Sequence, residues 1–225
     1  MAPVVGIIFH GIGKQERSID PGEKPYWISE SAFYAVLDQV AALPNPNLIH
    51  LSFDDGNVTD HDIALPALCA RKLRADFFVL TGRIGRHGSL TADHIRTLHA
   101  AGMGIGSHGV DHLDWTRLSA SGLHHELEDS RAVLEDLLGT PVCAAGIPFG
   151  AWNGRVLRAL QQAGYTTAYS SDRGPMDPQA FLRPRTSITA ATGLDITARI
   201  LSGRMTPLKR LRRKLAMARK QWRDK

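Results

Sequence analysis

Two adjacent carboxylates, Asp54 and Asp55, stand behind an apolar run and directly before a glycine in LSFDDG (51–56). Neighbouring negative charges oppose joint ionisation unless something positive lies between them, so the stretch asks for a cation. A second segment, GSHGVDH (106–112), carries His108 and His112 four residues apart. A helical turn would put both imidazoles on one side, within reach of a single ion. Adding Asp55 makes a set of two histidines and one carboxylate, which leaves coordination positions open for water and a substrate oxygen and so suits catalysis better than a closed structural site. Zn2+ fits these ligands best, and Co2+, Mn2+, Ni2+ or Fe2+ could also be held. In a chain with ten histidines such spacing also arises by accident; the Asp pair at the end of an apolar run argues against that.

Such a set has to be positioned by the elements around it. PVVGIIF (3–9), LIHLSF (48–53), ADFFVL (75–80), GMGIGS (102–107), PVCAAGI (141–147) and YTTAYS (165–170) have the continuous apolar character of strands covered on both faces. Between them, 28–42, 61–74, 91–101, 118–138 and 152–163 carry helical spacing, with Ser89, Thr91 and Ser119 as candidate N-caps and Gly102, Gly139 and Gly164 as stops. Repeated strand–helix units imply parallel pairing with right-handed crossovers. The expected fold is α/β: a single-domain, irregular (β/α) barrel of seven strands, because six or seven strands are easier to find than eight. Active sites in such barrels are built at the C-terminal ends of the strands. That rule places Asp54, Asp55, His108 and His10 at strand ends, with Phe149 and Asp172 just beyond two more, all on one rim.

Composition bounds the setting. At 225 residues and 43% hydrophobic, the chain supports one large core. Cys69 and Cys143 are far apart in apolar segments and read as buried free thiols. The N-terminal stretch MAPVVGIIFHGIG lacks a basic region and is short for a signal peptide, and no apolar run approaches the ~18 residues of a membrane span, so the expected location is cytoplasmic. Charge is uneven: residues 204–225 hold ten basic residues against the single acid Asp224, a balance of +9, while residues 1–203 hold 17 basic and 21 acidic residues, or −4. A mildly acidic body argues against a nucleic-acid surface spread over the fold. Leu208, Leu211, Leu215, Ala218 and Trp222 recur every three or four residues, the spacing of a basic amphipathic helix. This tail reads as a peripheral contact with an anionic membrane surface at the inner leaflet, or as a helix on the barrel with a solvated basic face, or as a frayed end. The organisation expected is a catalytic domain at 1–203 and a tail at 204–225.

The motifs together resemble the polysaccharide deacetylases with a NodB-homology domain, carbohydrate esterase family 4. SFDDG is similar to their first motif, SHGVDH to their second, and GIPFGAWNGRVLRALQQAGYTTAYSS to their third with the helix that follows; the resemblance runs from about Val5 to Arg185. It implies a NodB-like barrel and a metal-dependent hydrolase. Asp54 would be the general base, Asp55, His108 and His112 the metal ligands, and the backbone N–H of Phe149, after Pro148, the oxyanion donor. The departures matter too. Ala145 and Gly146 stand where many members have an Arg that orients the base; Arg185 of RPRTSI is the candidate substitute, with a solvated surface the alternative for it and for Arg183. No Leu-x-His motif supplies a general acid, since no histidine follows His125. Either His10 serves, or water or substrate does, or activity is reduced. YSSDRG with Asp172 only echoes the fourth motif, and Gly109 replaces a Ser or Thr inside the histidine motif.

Pro148, Trp115 and Trp152 follow or form these motifs and could line a substrate cleft, the tryptophans by stacking on sugar faces; core filling is the other reading of both. Asn153 reads as a helix cap. The function expected is removal of an N-acyl group, N-acetyl foremost, from an amino sugar in a polysaccharide, oligosaccharide or lipid-linked precursor, as in exopolysaccharide biosynthesis, with release of acetate. The alternatives are a deformylase or deacylase of a lipid-linked or non-carbohydrate amide, and a carbohydrate-binding barrel with little or no turnover.

Overall fold

The computed structural model describes residues 4–222. Its strands are β1 (Val4–Phe9), β2 (Ile49–Phe53), β3 (Ala75–Val79), β4 (Gly104–Ser107), β5 (Ala144–Gly146), β6 (Thr167–Ser170), the two-residue β7 (Pro175–Met176) and β8 (Leu182–Ser187). Parallel pairing runs β2-β3-β4-β5-β6-β8-β1 and returns from β1 to β2, which closes a seven-stranded barrel; β7 adds antiparallel to β1. The helices are α1 (Glu30–Ala41), α2 (Leu65–Ala70), α3 (Ala92–Ala100), α4 (Ala120–His124), α5 (Ser130–Leu138), α6 (Gly154–Gln162), α7 (Leu194–Leu201) and α8 (Pro207–Trp222). The main core fills the space between the outer wall of the barrel and the helices, with Val5, Ile7 and Phe9 of β1, Phe53 of β2, Phe77 of β3 and Leu134 of α5 all buried in it.

All six expected strands form, shorter than their apolar runs, and the expected helices form between them. The 61–74 pattern becomes a π-turn at Asp60–Ala64 followed by α2, and the 118–138 pattern is interrupted by a second π-turn at His125–Asp129. Single π-turns inside helices commonly accompany functional sites. Thr91 and Ser119 cap α3 and α4 as expected, and Gly139 ends α5 in the left-handed conformation.

The seventh strand, β8, escapes a search for apolar runs. Its sequence LRPRTS is polar because Arg183 and Arg185 face partners inside the barrel: the Arg183 guanidinium lies over Tyr169 of β6, and that of Arg185 over Phe78 of β3. Below them His50 of β2 contacts Asp76 of β3 at 2.8 Å and stacks on Tyr169. His50 is therefore an interior residue paired to a carboxylate. Room for Arg185 comes from Gly6 of β1, where a Cβ would meet Arg185 Cγ at 2.8 Å. Cys69 and Cys143 are exposed free thiols, which corrects the expectation of burial: both fall on outward positions at the edges of their apolar segments. Among the described residues, no helix is long and apolar enough to cross a membrane.

Candidate active site

His10 follows β1, Asp54 and Asp55 follow β2, and His108 follows β4, so each side chain sits at the C-terminal end of its strand. His112 arrives by another route than the one expected. Residues 108–112 form a loop, with Gly109 at φ +90° and His112 at φ +57°, and no helical turn spans the two histidines. The loop is shaped by Glu126, fully buried in the second π-turn, which accepts hydrogen bonds from the backbone N–H of Val110 and Asp111 (3.0 Å each) and from Trp115 Nε1 (3.2 Å). A Cβ at position 109 would stand 2.2 Å from Glu126 Oε2, so glycine there is a requirement of the loop, beyond the loss of one hydroxyl.

The three expected ligands converge. Asp55 Oδ1 lies 3.6 Å from His108 Nε2 and 3.5 Å from His112 Nε2, and one ligand atom from each residue falls within 4.8 Å of the others. The other ring nitrogens fix the tautomers. His108 Nδ1 is 2.8 Å from the Gly146 carbonyl and His112 Nδ1 is 3.3 Å from Asp20 Oδ2; both partners only accept, so each Nδ1 carries the proton. Each Nε2 therefore presents a lone pair toward Asp55 Oδ1, a buried oxygen with no hydrogen-bond donor of its own. Two imidazole nitrogens and a carboxylate oxygen facing one point, on residues of which two are buried, could hold a divalent cation. Burial, aided by His112, holds His108 down to about 4 against the pull of Asp54 and Asp55, so it is neutral and able to ligate near neutral pH.

Asp54 points away from this triplet, into the grip of Arg185. Arg185 Nη1 and Nη2 donate to Asp54 Oδ1 and Oδ2 at 2.8 and 2.9 Å, and Nη1 also reaches Ser52 Oγ at 2.8 Å. Both residues are buried. Burial alone would raise the Asp54 pKa; the Arg185 charge, then His108 and His10, outweigh it and hold it below the ordinary carboxylate value.

A small pocket of about 110 Å³ opens over these groups, lined among others by His10, Tyr26, Asp54, Phe149, Arg185 and Ser187. His10 packs against Tyr26 at 4.8 Å between ring centroids, the rings tilted by 45°, and its buried Nδ1 has no protein partner. Phe149 is held at φ +58° and is 63% exposed, its ring stacked 4.5 Å from that of His112. Asp55, at φ +79°, shares the left-handed backbone with His112 and Phe149. Such strain in non-glycine residues costs on the order of 1–3 kcal/mol each and persists where surrounding structure enforces it, commonly at active sites.

Three expected substrate contacts are not in this pocket. Trp115 is fully buried and bonded to Glu126; Trp152 is buried, with Nε1 donating to Asp172 Oδ2 at 2.6 Å. Each indole faces a carboxylate partner inside the fold, which turns it from the cleft. Pro148 is buried at the start of its turn, leaving Phe149 to face the opening. Asp172 binds Ser170, Trp152 and Lys220 and also lies off the pocket lining. Asn153 caps α6 as expected. The sequence reasoning missed Asp20, Glu126 and Asp60. Asp60 is fully buried; burial first, then Asp55 and Asp54, push its pKa well above the ordinary carboxylate value, against a backbone hydrogen bond from Asn57. Its position five residues after Asp55 was the only available signal.

A barrel of parallel strands with a carboxylate–imidazole cluster and an Arg-held aspartate at its C-terminal rim defines the class as a (β/α)-barrel with a candidate metal centre at that rim. Residues 42–168 match the polysaccharide deacetylase family, more than half of the chain, and the chain belongs to it. It is 23% identical over 155 residues to YxkH of Bacillus subtilis (strain 168), covering 66% of this chain and 56% of that protein. Over 137 residues it is 28% identical to the chitooligosaccharide deacetylase of Rhizobium leguminosarum bv. trifolii, covering 60% of each. The chain thus spans less than two thirds of the length of these curated relatives. Its fold matches the Streptococcus pyogenes deacetylase PplD, solved in complex with acetate (TM-score 0.75, 19% identity, 88% of this chain and 98% of that one). It also matches IcaB from Ammonifex degensii (TM-score 0.72, 20% identity, 91% and 98%).

Proposed function

We propose that this protein is a metal-dependent hydrolase that removes an N-acyl group, acetyl foremost, from an amino sugar of a saccharide or lipid-linked saccharide. The observation that carries the reading is the pairing of a buried aspartate clamped by Arg185 with a cation-demanding Asp–His–His triplet one residue away. A divalent ion held by Asp55, His108 and His112, zinc by ligand type, supplies Lewis-acid activation of the scissile carbonyl and of the attacking water.

The chain's own groups do the rest. Asp54, kept ionised and aimed by Arg185, takes the proton of the attacking water. The Phe149 N–H, presented by its left-handed turn, donates to the oxygen that gains charge. His10, at the end of the neighbouring strand β1 with an unpaired Nδ1, gives a proton to the departing amine nitrogen. The products are the free amine and a carboxylic acid. Both His10 and Arg185 fill roles that the family usually draws from other motifs.

A phosphate-bearing, lipid-linked substrate is favoured over a neutral polymer by one feature. A broad groove of about 990 Å³ shares Ser187 with the catalytic pocket and is lined by Arg173, Arg199, Arg204 and Lys209. The intact Asp54–Arg185 pair argues against a binding-only barrel, which has no use for a buried ionised base. The test is release of acetate or formate from N-acylated saccharides and lipid-linked amino sugars by zinc-loaded protein. Release that is lost in Asp54→Asn, with zinc still bound, supports the reading. Binding of glycans with no turnover under any divalent metal removes it.

A further inference from the structure

The helix α8 is attached to the barrel by its polar side. Arg213 Nη1 donates to the Pro175 carbonyl at 3.1 Å, Met217 packs against the core, and Lys220 Nζ reaches Asp172 Oδ1 at 2.6 Å and the Gly150 carbonyl at 3.2 Å. Positions 213, 217 and 220 recur at four and three and define one face. Leu208, Leu211 and Leu215 recur at three and four on the opposite face and are 58%, 55% and 62% exposed. A surface helix normally turns its apolar stripe inward and its charges outward; α8 does the reverse. Arg212 and Arg219 flank the stripe on one side and Lys214 on the other, and the helix carries seven basic residues and no acidic one.

From this arrangement we propose that α8 is a membrane-docking helix, whose leucine face enters the headgroup region of an anionic bilayer and holds the catalytic mouth at that surface. The charges choose among the occupants. A second copy docking on the same stripe would bring two rows of seven cations together with no acid between them. A nucleic acid would take the basic flanks and leave three leucines in water. An anionic bilayer satisfies both, taking the leucines below the headgroups and the Lys and Arg among the phosphates. The cytoplasmic leaflet, richest in anionic lipid, is the surface of that chemistry. Proximity to the chemistry comes from Lys220, whose second acceptor, the Gly150 carbonyl, belongs to the turn that presents Phe149.

The experiment is co-sedimentation of the whole protein with phosphatidylcholine vesicles, with and without phosphatidylglycerol, alongside sedimentation velocity in their absence. The protein should pellet with the anionic vesicles. The double variant Leu211→Glu, Leu215→Glu should lose about tenfold or more of that partitioning at an unchanged melting temperature, since neither side chain is buried. Arg212→Glu with Arg219→Glu should lose a similar share. No pelleting of the native protein overturns the proposal, as does full pelleting of the leucine variant, which would mean adsorption by charge alone. A dimer in sedimentation velocity that the leucine variant abolishes also overturns it, in favour of a second copy. None of these readouts depends on turnover, so they stand or fall apart from the catalytic reading.

Discussion

At Asp54 two effects oppose each other: burial drives the carboxyl toward protonation, and the bidentate Arg185 guanidinium holds it ionised. Removing the cation leaves burial to win. Arg185→Met should therefore move the acidic limb of the kcat/KM profile to higher pH, read from a pH–rate series, and lower kcat. Breaking one side of a buried pair costs about 3–5 kcal/mol, so its melting temperature should fall as well. Asp60 is the reverse case. Its folded pKa is raised, so the stability it contributes is present below the ordinary carboxylate value and is lost as pH rises through the raised one. Asp60→Asn, uncharged at every pH, should remove that loss: the variant should melt higher than the native protein on the alkaline side, in metal-free thermal scans from about pH 5 to 9. An unchanged difference across the range would mean that Asp60 does not titrate there.

Among the elements, the loop from 108 to 112 does what the spacing had suggested a helix would do. It holds its shape through Glu126 and needs a glycine at position 109. Gly109→Ser places a Cβ against Glu126 at a strained φ, so it should lower stability by about 1–3 kcal/mol and weaken metal binding, both measurable by calorimetry. The segment between β1 and α1 contributes a second support. Asp20, bound by Arg83 at 2.6 Å, accepts from His112 Nδ1. Outer partners of this kind orient a ligand histidine and are worth about 10–100-fold in metal affinity. Asp20→Ala should lose that much in a chelator-competition titration, and Asp20→Asn, which keeps an acceptor, should lose less.

On the scale of the whole molecule, the site draws on β1, β2, β4, β5 and β8 together with the segment that carries Asp20 and Tyr26. A cation that binds only the closed barrel should stabilise all of it. With zinc at about 100 times its dissociation constant, the gain is about 2.7 kcal/mol, and at about 2–4 °C per kcal/mol for a domain of this size the melting temperature should rise by several degrees. His108→Ala should show no such rise. An equal rise in native and variant would place the bound metal elsewhere.

The amino-acid sequence by itself determined the alternation of strands and helices, the parallel barrel and the convergence of Asp54, Asp55, His108 and His112. These follow from local signals: apolar runs, caps, and adjacent chemistry at the ends of strands. The tertiary structure alone decided the partners that arrive from far along the chain. Asp20 meets His112 across 92 residues, and of the two readings the sequence left for Arg185, beside the base or on a solvated surface, its contact with Asp54 across 131 residues decides for the first. β8 was unreadable as a strand because its arginines find partners inside the barrel, and Trp115 and Trp152 turned inward because Glu126 and Asp172 accept from their N–H groups. Whether a polar side chain faces water or a buried counter-charge depends on what the fold brings opposite it, and periodicity along a single chain carries no record of that.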